Sequence, residues 1–127
     1  MVDTSVVIDL DRLSPDELPG EIAISAVTLA ELAAGPHATV DPAERARRQE
    51  RLQRTEAALE SLPFDAAAAR AYGRLFAAVS AAERKGVGRR ALDLLIAATA
   101  AAEGLPVYTR NAKDFAGLEE IVEVVEL

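Results

Sequence analysis

Residues 91–102 read ALDLLIAATAAA, a stretch in which only Asp93 and Thr99 are polar. The run has a helix-forming composition and stops before Gly104, and a helix without a polar face is buried nearly all round. A carboxylate on such a helix carries a large desolvation cost, or becomes neutral, unless a cation or several donors meet it. Asp93 therefore needs a partner. A plainer reading stands beside this one: an acid in the first turn, close to Arg89 and Arg90, is favoured by the helix dipole. The chain of 127 residues supplies 27 alanines and 37 larger apolar side chains. That is enough for one two- or three-layer domain spanning residues 1–127.

Short apolar runs alternate with helical periodicity along the chain. Residues 2–3 read as a very short strand. For residues 6–10 two readings compete: strand, on the β propensity of Val6 to Ile8, or a helix capped by Thr4 or Ser5 with Val6, Val7, Leu10 and Leu13 at helical spacing; strand followed by helix is adopted. Residues 22–24 form a strand, Ser25 a turn, and residues 27–34 a helix stopped by Gly35 and Pro36. Asp41 and Pro42 open a helix over 43–61 as N-cap and first helical residue. Residues 62–64 suit a short edge strand, and Asp65 caps an alanine-rich helix running to about Glu83. Gly86 and Gly88 precede the helix that carries Asp93, and residues 106–109 and 121–125 complete the strands. The alternation predicts an α/β fold with a mostly parallel sheet.

Composition narrows the chemistry. The absence of cysteine excludes disulfides, thiolate metal sites and cysteine nucleophiles, and a single histidine, His37, excludes any two-histidine mechanism. What remains is carboxylate and hydroxyl chemistry. The start of the chain lacks a basic region followed by an apolar run, so no signal peptide is expected. Residues 94–102, the longest nearly unbroken apolar stretch, are too few to span a bilayer, and a cytoplasmic address fits. The net charge of −7 argues against nucleic acid only if the acids are spread evenly, because divalent cations bound at an acidic cluster invert the local sign.

The acids are not spread evenly. Ligands of open α/β sheets bind outside the carboxyl ends of the strands. Asp3 follows the first strand, Glu31 lies on the helix leaving the second, Asp114 stands five residues beyond Thr109, and Asp93 sits on the buried helix. Taken singly, Asp3 reads as a turn residue, Glu31 as a solvated helix position and Asp114 as a cap. Together with their surroundings they carry a resemblance. The segments VDTSVVIDL at 2–10, ISAVTLAEL at 24–32, GRRALDLLIAATA at 88–100 and VYTRNAKDF at 107–115 resemble the four ordered acidic motifs of the PIN domain. The likeness is greatest to its toxin branch, the VapC endoribonucleases of toxin–antitoxin pairs.

The resemblance implies a three-layer α/β/α sandwich with a short, mostly parallel central sheet. It implies that Asp3, Glu31, Asp93 and Asp114 form a catalytic cluster, with Asp3 and Asp93 as direct ligands of Mg2+, or of Mn2+. Glu31 would act through water or as a water-orienting base, and Asp114 as an outer ligand or at a second metal. Thr4, Ser5, Thr109 and Asn111 would support them. The implied reaction is hydrolysis of RNA to a 5′-phosphate and a 3′-hydroxyl; the implied partners are a small VapB-type antitoxin and a second copy of the chain in a homodimer. Only two residues precede Asp3, which leaves the first strand nearly without length. Magnesium prefers oxygen ligands, is commonly held by one or two carboxylates and substrate phosphate, and can activate water and polarise a phosphodiester.

Phosphate contacts are expected from Arg89 and Arg90, with Arg84 and Lys85 nearby, and from Arg110 and Lys113 beside the fourth motif. The run Arg45, Arg47, Arg48, Arg51 and Arg54 is interleaved with acids, with Glu44/Arg48 and Glu50/Arg54 at pairing distance on a helix, and reads as a solvated, self-paired face. His37 reads as a loop residue. With five aromatics and no tryptophan, recognition by serial base stacking is not expected. Two other readings are a receiver-type or phosphoryl-transfer α/β domain with Thr109 and Lys113 at its magnesium site, and a catalytically inactive PIN fold kept for binding.

Overall fold

The computed structural model describes residues 1–79 and 87–127, and of residues 87–89 the backbone alone. The helices are α1 (Thr4–Ile8), α2 (Ala26–Ala34), α3 (Pro42–Ala58), α4 (Ala66–Ala78) and α5 (Val87–Glu103). The strands are β1 (Ala23–Ser25), β2 (Glu60–Leu62), β3 (Val107–Thr109) and β4 (Val124–Glu126).

The strands pair in parallel, β1 with β2 and β3 with β4. Residues 1–3 join the two pairs. Val2 N donates to Ala23 O at 2.9 Å on one side, while Tyr108 N donates to Met1 O at 2.8 Å and Asp3 N to Tyr108 O at 3.0 Å on the other. The side chains alternate across this sheet with period two, as pleating requires. Met1, Val107 and Val124 pack with Leu75 of α4 and Ile96 of α5, whereas Val2, Ile24 and Tyr108 pack with Val6 of α1, Leu32 of α2 and Leu52 of α3. The result is the three-layer α/β/α sandwich with a short parallel sheet.

Local chemistry sets the helix starts. Ser25 Oγ accepts from Thr28 N, Asp41 Oδ1 from Ala43 N ahead of Pro42, and Asp65 Oδ1 from Ala68 N, each satisfying an amide that has no partner within its helix. Residues 6–8 are helical, and the cap of that helix is Asp3, not Thr4 or Ser5: its Oδ1 accepts from Val6 N at 3.1 Å. Gly35 is not a left-handed terminator either. It keeps helical angles (φ −52°, ψ −49°), and the chain passes into a 3-10 turn over Gly35–Ala38, where Pro36 has no amide to continue the helix. Gly104 at the end of α5 does take the left-handed region, with φ +66°.

The last strand is shorter than its sequence suggests. After Gly117 (φ +88°) the chain folds into a turn in which both Ile121 N and Val122 N donate to Leu118 O. Leu118 and Val122 are buried there as plugs of the α5 side of the core, so β4 starts only at Val124. Apolar content alone does not distinguish a plugged turn from a strand.

Helix α5 is buried at Leu94, Ile96 and every position from Ala97 to Ala100, and α4 meets it with Ala71 and Leu75. The small alanine side chains allow the two helices to approach closely. Leu75 is fully buried, whereas Leu92 on the outer side of α5 is 39 % exposed. Leu75→Ala is expected to lower stability by about 3 kcal/mol, and Leu92→Ala by less than about 1 kcal/mol. Urea denaturation of the two variants checks this, and equal losses would contradict the packing described.

Candidate active site

Four segments end at one cleft of about 280 Å³, lined by Asp3, Thr4, Ser5, Ile8, Glu31, Asp93, Ile96, Asn111 and Asp114. Asp3 arrives from the sheet, Glu31 from the second turn of α2, Asp93 from α5, and Asp114 from a 3-10 turn over Ala112–Phe115 that follows β3. The structure thus brings together all four acids singled out in the sequence.

Asp3 is buried and held by three donors. Its Oδ1 accepts from Ser5 Oγ at 2.6 Å as well as from Val6 N, and its Oδ2 accepts from Thr109 Oγ1 at 2.6 Å. Each hydroxyl is oriented in turn: Ser5 Oγ accepts from Arg110 N at 3.0 Å, and Thr109 Oγ1 from Asn111 N at 3.1 Å. A carboxylate has about four acceptor positions. Three are used, which leaves one on Oδ2 for a further ligand. Thr109 itself is buried behind Asp3 and does not line the cleft.

Glu31 is fixed by a chain of hydroxyls, of which the sequence reading named Thr4 but not Thr28 or Ser25. Thr4 Oγ1 donates to Glu31 Oε1 at 2.7 Å and lies 3.1 Å from Thr28 Oγ1, which accepts from Ser25 Oγ at 3.3 Å. A threonine hydroxyl has one proton. That of Thr4 faces both Glu31 Oε1 and Thr28 Oγ1, and the carboxylate is the nearer acceptor. Ser25 and Thr28 are fully buried; the signal for them was their spacing with Glu31, at three-residue steps on one face of α2. Asp114 accepts from Asn111 Nδ2 at 3.0 Å through Oδ2.

Asp93 differs from the other three, because no described residue donates a hydrogen bond to it. Burial pushes its pKa up to about 7, and the charges of Asp114, Asp3 and Glu31 push in the same direction against a smaller opposing effect of Arg90. The cleft therefore holds one carboxylate that stays charged at neutral pH only at a cost, the condition under which a cation is bound well. The donors are all oxygens, which suits magnesium. No group of three acidic or histidine side chains among the described residues stands close enough to hold a metal unaided. That also fits an ion that retains several waters and takes one or two carboxylates.

Of the expected phosphate-binding cations, Arg84 and Lys85 lie outside the described residues, and so does the side chain of Arg89. The Arg90 guanidinium donates to the backbone oxygens of Asp114 and Ala116, clamping the Asp114 turn to α5. Arg110 lies 3.4 Å from Asp9 Oδ2, and Lys113 is exposed beside the cleft. His37 is an exposed residue of the turn after α2.

Comparison with known proteins gives this arrangement its place. Residues 1–120 match the PIN domain, and Ribonuclease VapC5 from Mycobacterium tuberculosis is 38 % identical over 127 residues, covering 98 % of this chain and 90 % of that protein. The chain belongs to the PIN-domain family, in its VapC branch. Among solved structures this PIN domain is similar to VapBC-5 of Mycobacterium tuberculosis, a member of the VapBC family of toxin–antitoxin systems. There the identity is 38 % and the TM-score 0.82, over 99 % of this chain and 96 % of that one. It is also similar to VapBC2 from Rickettsia felis bound to a DNA fragment from their promoter (28 %, TM-score 0.72, 100 % and 96 %). The family match over nearly the whole chain overturns the receiver-type alternative.

The electrostatics of the PIN-domain cleft have a measurable consequence. The folded chain retains the Asp93 proton up to about pH 7, whereas an ordinary aspartate loses it near 3.8, so the folded state binds more protons between those values and metal-free stability falls as pH rises through that window. Asp93→Asn removes the penalty. In chelator the variant is expected to be more stable than the wild type by about 1 kcal/mol at about pH 8, with the gain fading below about pH 5. Thermal unfolding at both pH values checks this; a loss of stability, or an equal gain at both, would show that Asp93 is a satisfied structural carboxylate.

Proposed function

We propose that this protein is a divalent-metal-dependent endoribonuclease that serves as the toxin of a toxin–antitoxin pair and acts through one nuclease domain spanning residues 1–127. The observation that carries the reading is the convergence of Asp3, Glu31, Asp93 and Asp114 on one cleft, where burial and then the other three acids raise the pKa of Asp93. Supporting it are the 38 % identity to a protein named a ribonuclease and the likeness to VapBC complexes.

Asp3 and Asp93 would hold the ion, Mg2+ or Mn2+, which when bound supplies Lewis-acid activation of water and of the phosphodiester. The chain's own residues do the positioning. Ser5, Thr109 and the amide of Val6 fix Asp3 so that one acceptor position remains open. Thr4 and Thr28 fix Glu31, which orients the attacking water and takes up its proton, and Asn111 sets Asp114 as the outer acid. Lys113 and Arg110 flank the entrance as phosphate-facing cations. Arg90 contributes by holding the Asp114 turn, and Arg89 stands in the same turn of the chain. A VapB-type antitoxin is the partner that the VapBC likeness supports, and a homodimer of the toxin and a cytoplasmic address complete the reading. Among the described residues no helix is long and apolar enough to cross a membrane.

Purified protein tested with magnesium on a panel of RNAs decides the class. Asp3→Asn and Asp93→Asn are expected to lower the cleavage rate at least about 100-fold, equivalent to about 2.7 kcal/mol of transition-state stabilisation, with far-UV circular dichroism unchanged. Asparagine is preferred at position 3 because alanine would also remove the cap of α1. Asp114→Ala should cost less. Near-native rates with unchanged metal dependence in either asparagine variant would contradict the assignment.

A further inference from the structure

Helix α3 carries five arginines, and four of them are engaged. Arg45 donates to Pro36 O and Thr39 O, each at 3.0 Å, and Arg47 to Glu44 Oε2 at 2.7 Å. Arg48 donates to Glu44 Oε1 at 3.0 Å and to Gly35 O at 2.9 Å, and Arg54 lies 3.9 Å from Asp11. The expected Glu44/Arg48 pair forms, but Arg54 reaches Asp11 instead of Glu50. Arg51 is the exception: its guanidinium has no hydrogen bond or ion pair with any described residue, although the residue is partly buried.

The place of Arg51 is as informative as its lack of a partner. It lines two adjoining cavities, one together with Thr4, Ile8 and Glu31 and the other with Val7, Ile8 and Thr55. Thr4, Ile8 and Glu31 also line the acidic cleft. Ile8, 50 % exposed, is common to all three. One trough therefore runs from the carboxylates across an apolar floor at Ile8 to an unpaired guanidinium.

A nucleic acid strand approaching four carboxylates meets like charge, and a cation beside the cleft offsets this and fixes register. Guanidinium is suited to the role, since its planar fork matches phosphate geometry and it is weakly hydrated, so partial burial costs it little. We propose that Arg51 is a phosphate subsite for the RNA strand, binding a phosphodiester that flanks the scissile one, with Ile8 as the apolar surface between the two. This rests on the ribonuclease reading. The carboxylates of the trough, Glu44 and Asp11 among them, would attract a basic peptide arm as well, but Arg51 itself would meet such an arm as a like charge and matches a phosphate.

Binding of a fluorescently labelled single-stranded RNA, followed by anisotropy with calcium in place of magnesium, tests the subsite apart from cleavage. Arg51→Glu is expected to weaken binding at least about tenfold and to reduce the slope of log affinity against log salt by about 1. Arg51→Gln should move both in the same direction by less, and Arg47→Glu, away from the trough, should change neither. In magnesium, Arg51→Glu should raise KM with kcat within about twofold of wild type, the pattern of a contact made equally in ground and transition states. If wild type binds RNA and Arg51→Glu binds as tightly with the same salt slope, the subsite is overturned alone, also where the variant weakens a protein partner instead. If wild type binds no RNA, the ribonuclease reading falls with it.

Discussion

The hydrogen bonds made by residues 1–3 are the constraint on which the rest depends. Their backbone joins β1 to β3, so that two separate strand pairs become one sheet, and Asp3 at their end ties that sheet to α1 through Val6 N and to the end of β3 through Thr109. The same carboxylate is helix cap, inter-segment tie and candidate ligand. These roles are compatible because a carboxylate offers more acceptor positions than the fold consumes. The active site is in this sense continuous with the centre of the fold rather than added to its surface.

Around that fixed carboxylate the molecule assembles acids that repel one another. Asp3, Glu31 and Asp114 each receive donors, and Asp93 receives none from the described residues, so the unrelieved charge is concentrated on one residue of a buried helix. Stability and function compete at such sites, since the arrangement least favourable for the metal-free fold is the one that binds a cation best. The two hydroxyl pairs, Ser5 with Thr109 and Thr4 with Thr28, set the direction of the carboxylates without neutralising them. Arg90 does something similar with the chain, gripping the carbonyls of Asp114 and Ala116 rather than forming an ion pair with any acid among the described residues.

Much of this was legible in the sequence because it rests on short-range chemistry. Asp41 with Pro42 and Asp65 announce their helices through local caps, the alternation of strand and helix gives the layers, and the polar residues of an otherwise apolar helix mark Asp93. What was not legible depends on distant neighbours. Asp3 rather than Thr4 caps α1 because the sheet presents it there. Leu118 to Val122 form a plugged turn because the α5 side of the core needs filling at that point. The arginines of α3 choose partners by what lies opposite, so Arg54 takes Asp11 and Arg51 is left to face the trough. Thr28 shows in sequence only as a three-residue spacing with Ser25 and Glu31, and its purpose is seen only when the hydroxyls of Ser25 and Thr4 stand beside it.

If Asp93 reaches its charged form only beside a cation, binding of that cation must displace its proton. Calorimetric titration of the wild type with magnesium, repeated in buffers of different ionisation enthalpy, counts the protons that leave as the ion binds. With the Asp93 pKa at about 7, release of about half a proton per ion is expected near pH 7, falling toward none by about pH 8.5, with no such release in Asp93→Asn. Magnesium binding without proton release between about pH 6 and 8.5, or release undiminished in the variant, would contradict it.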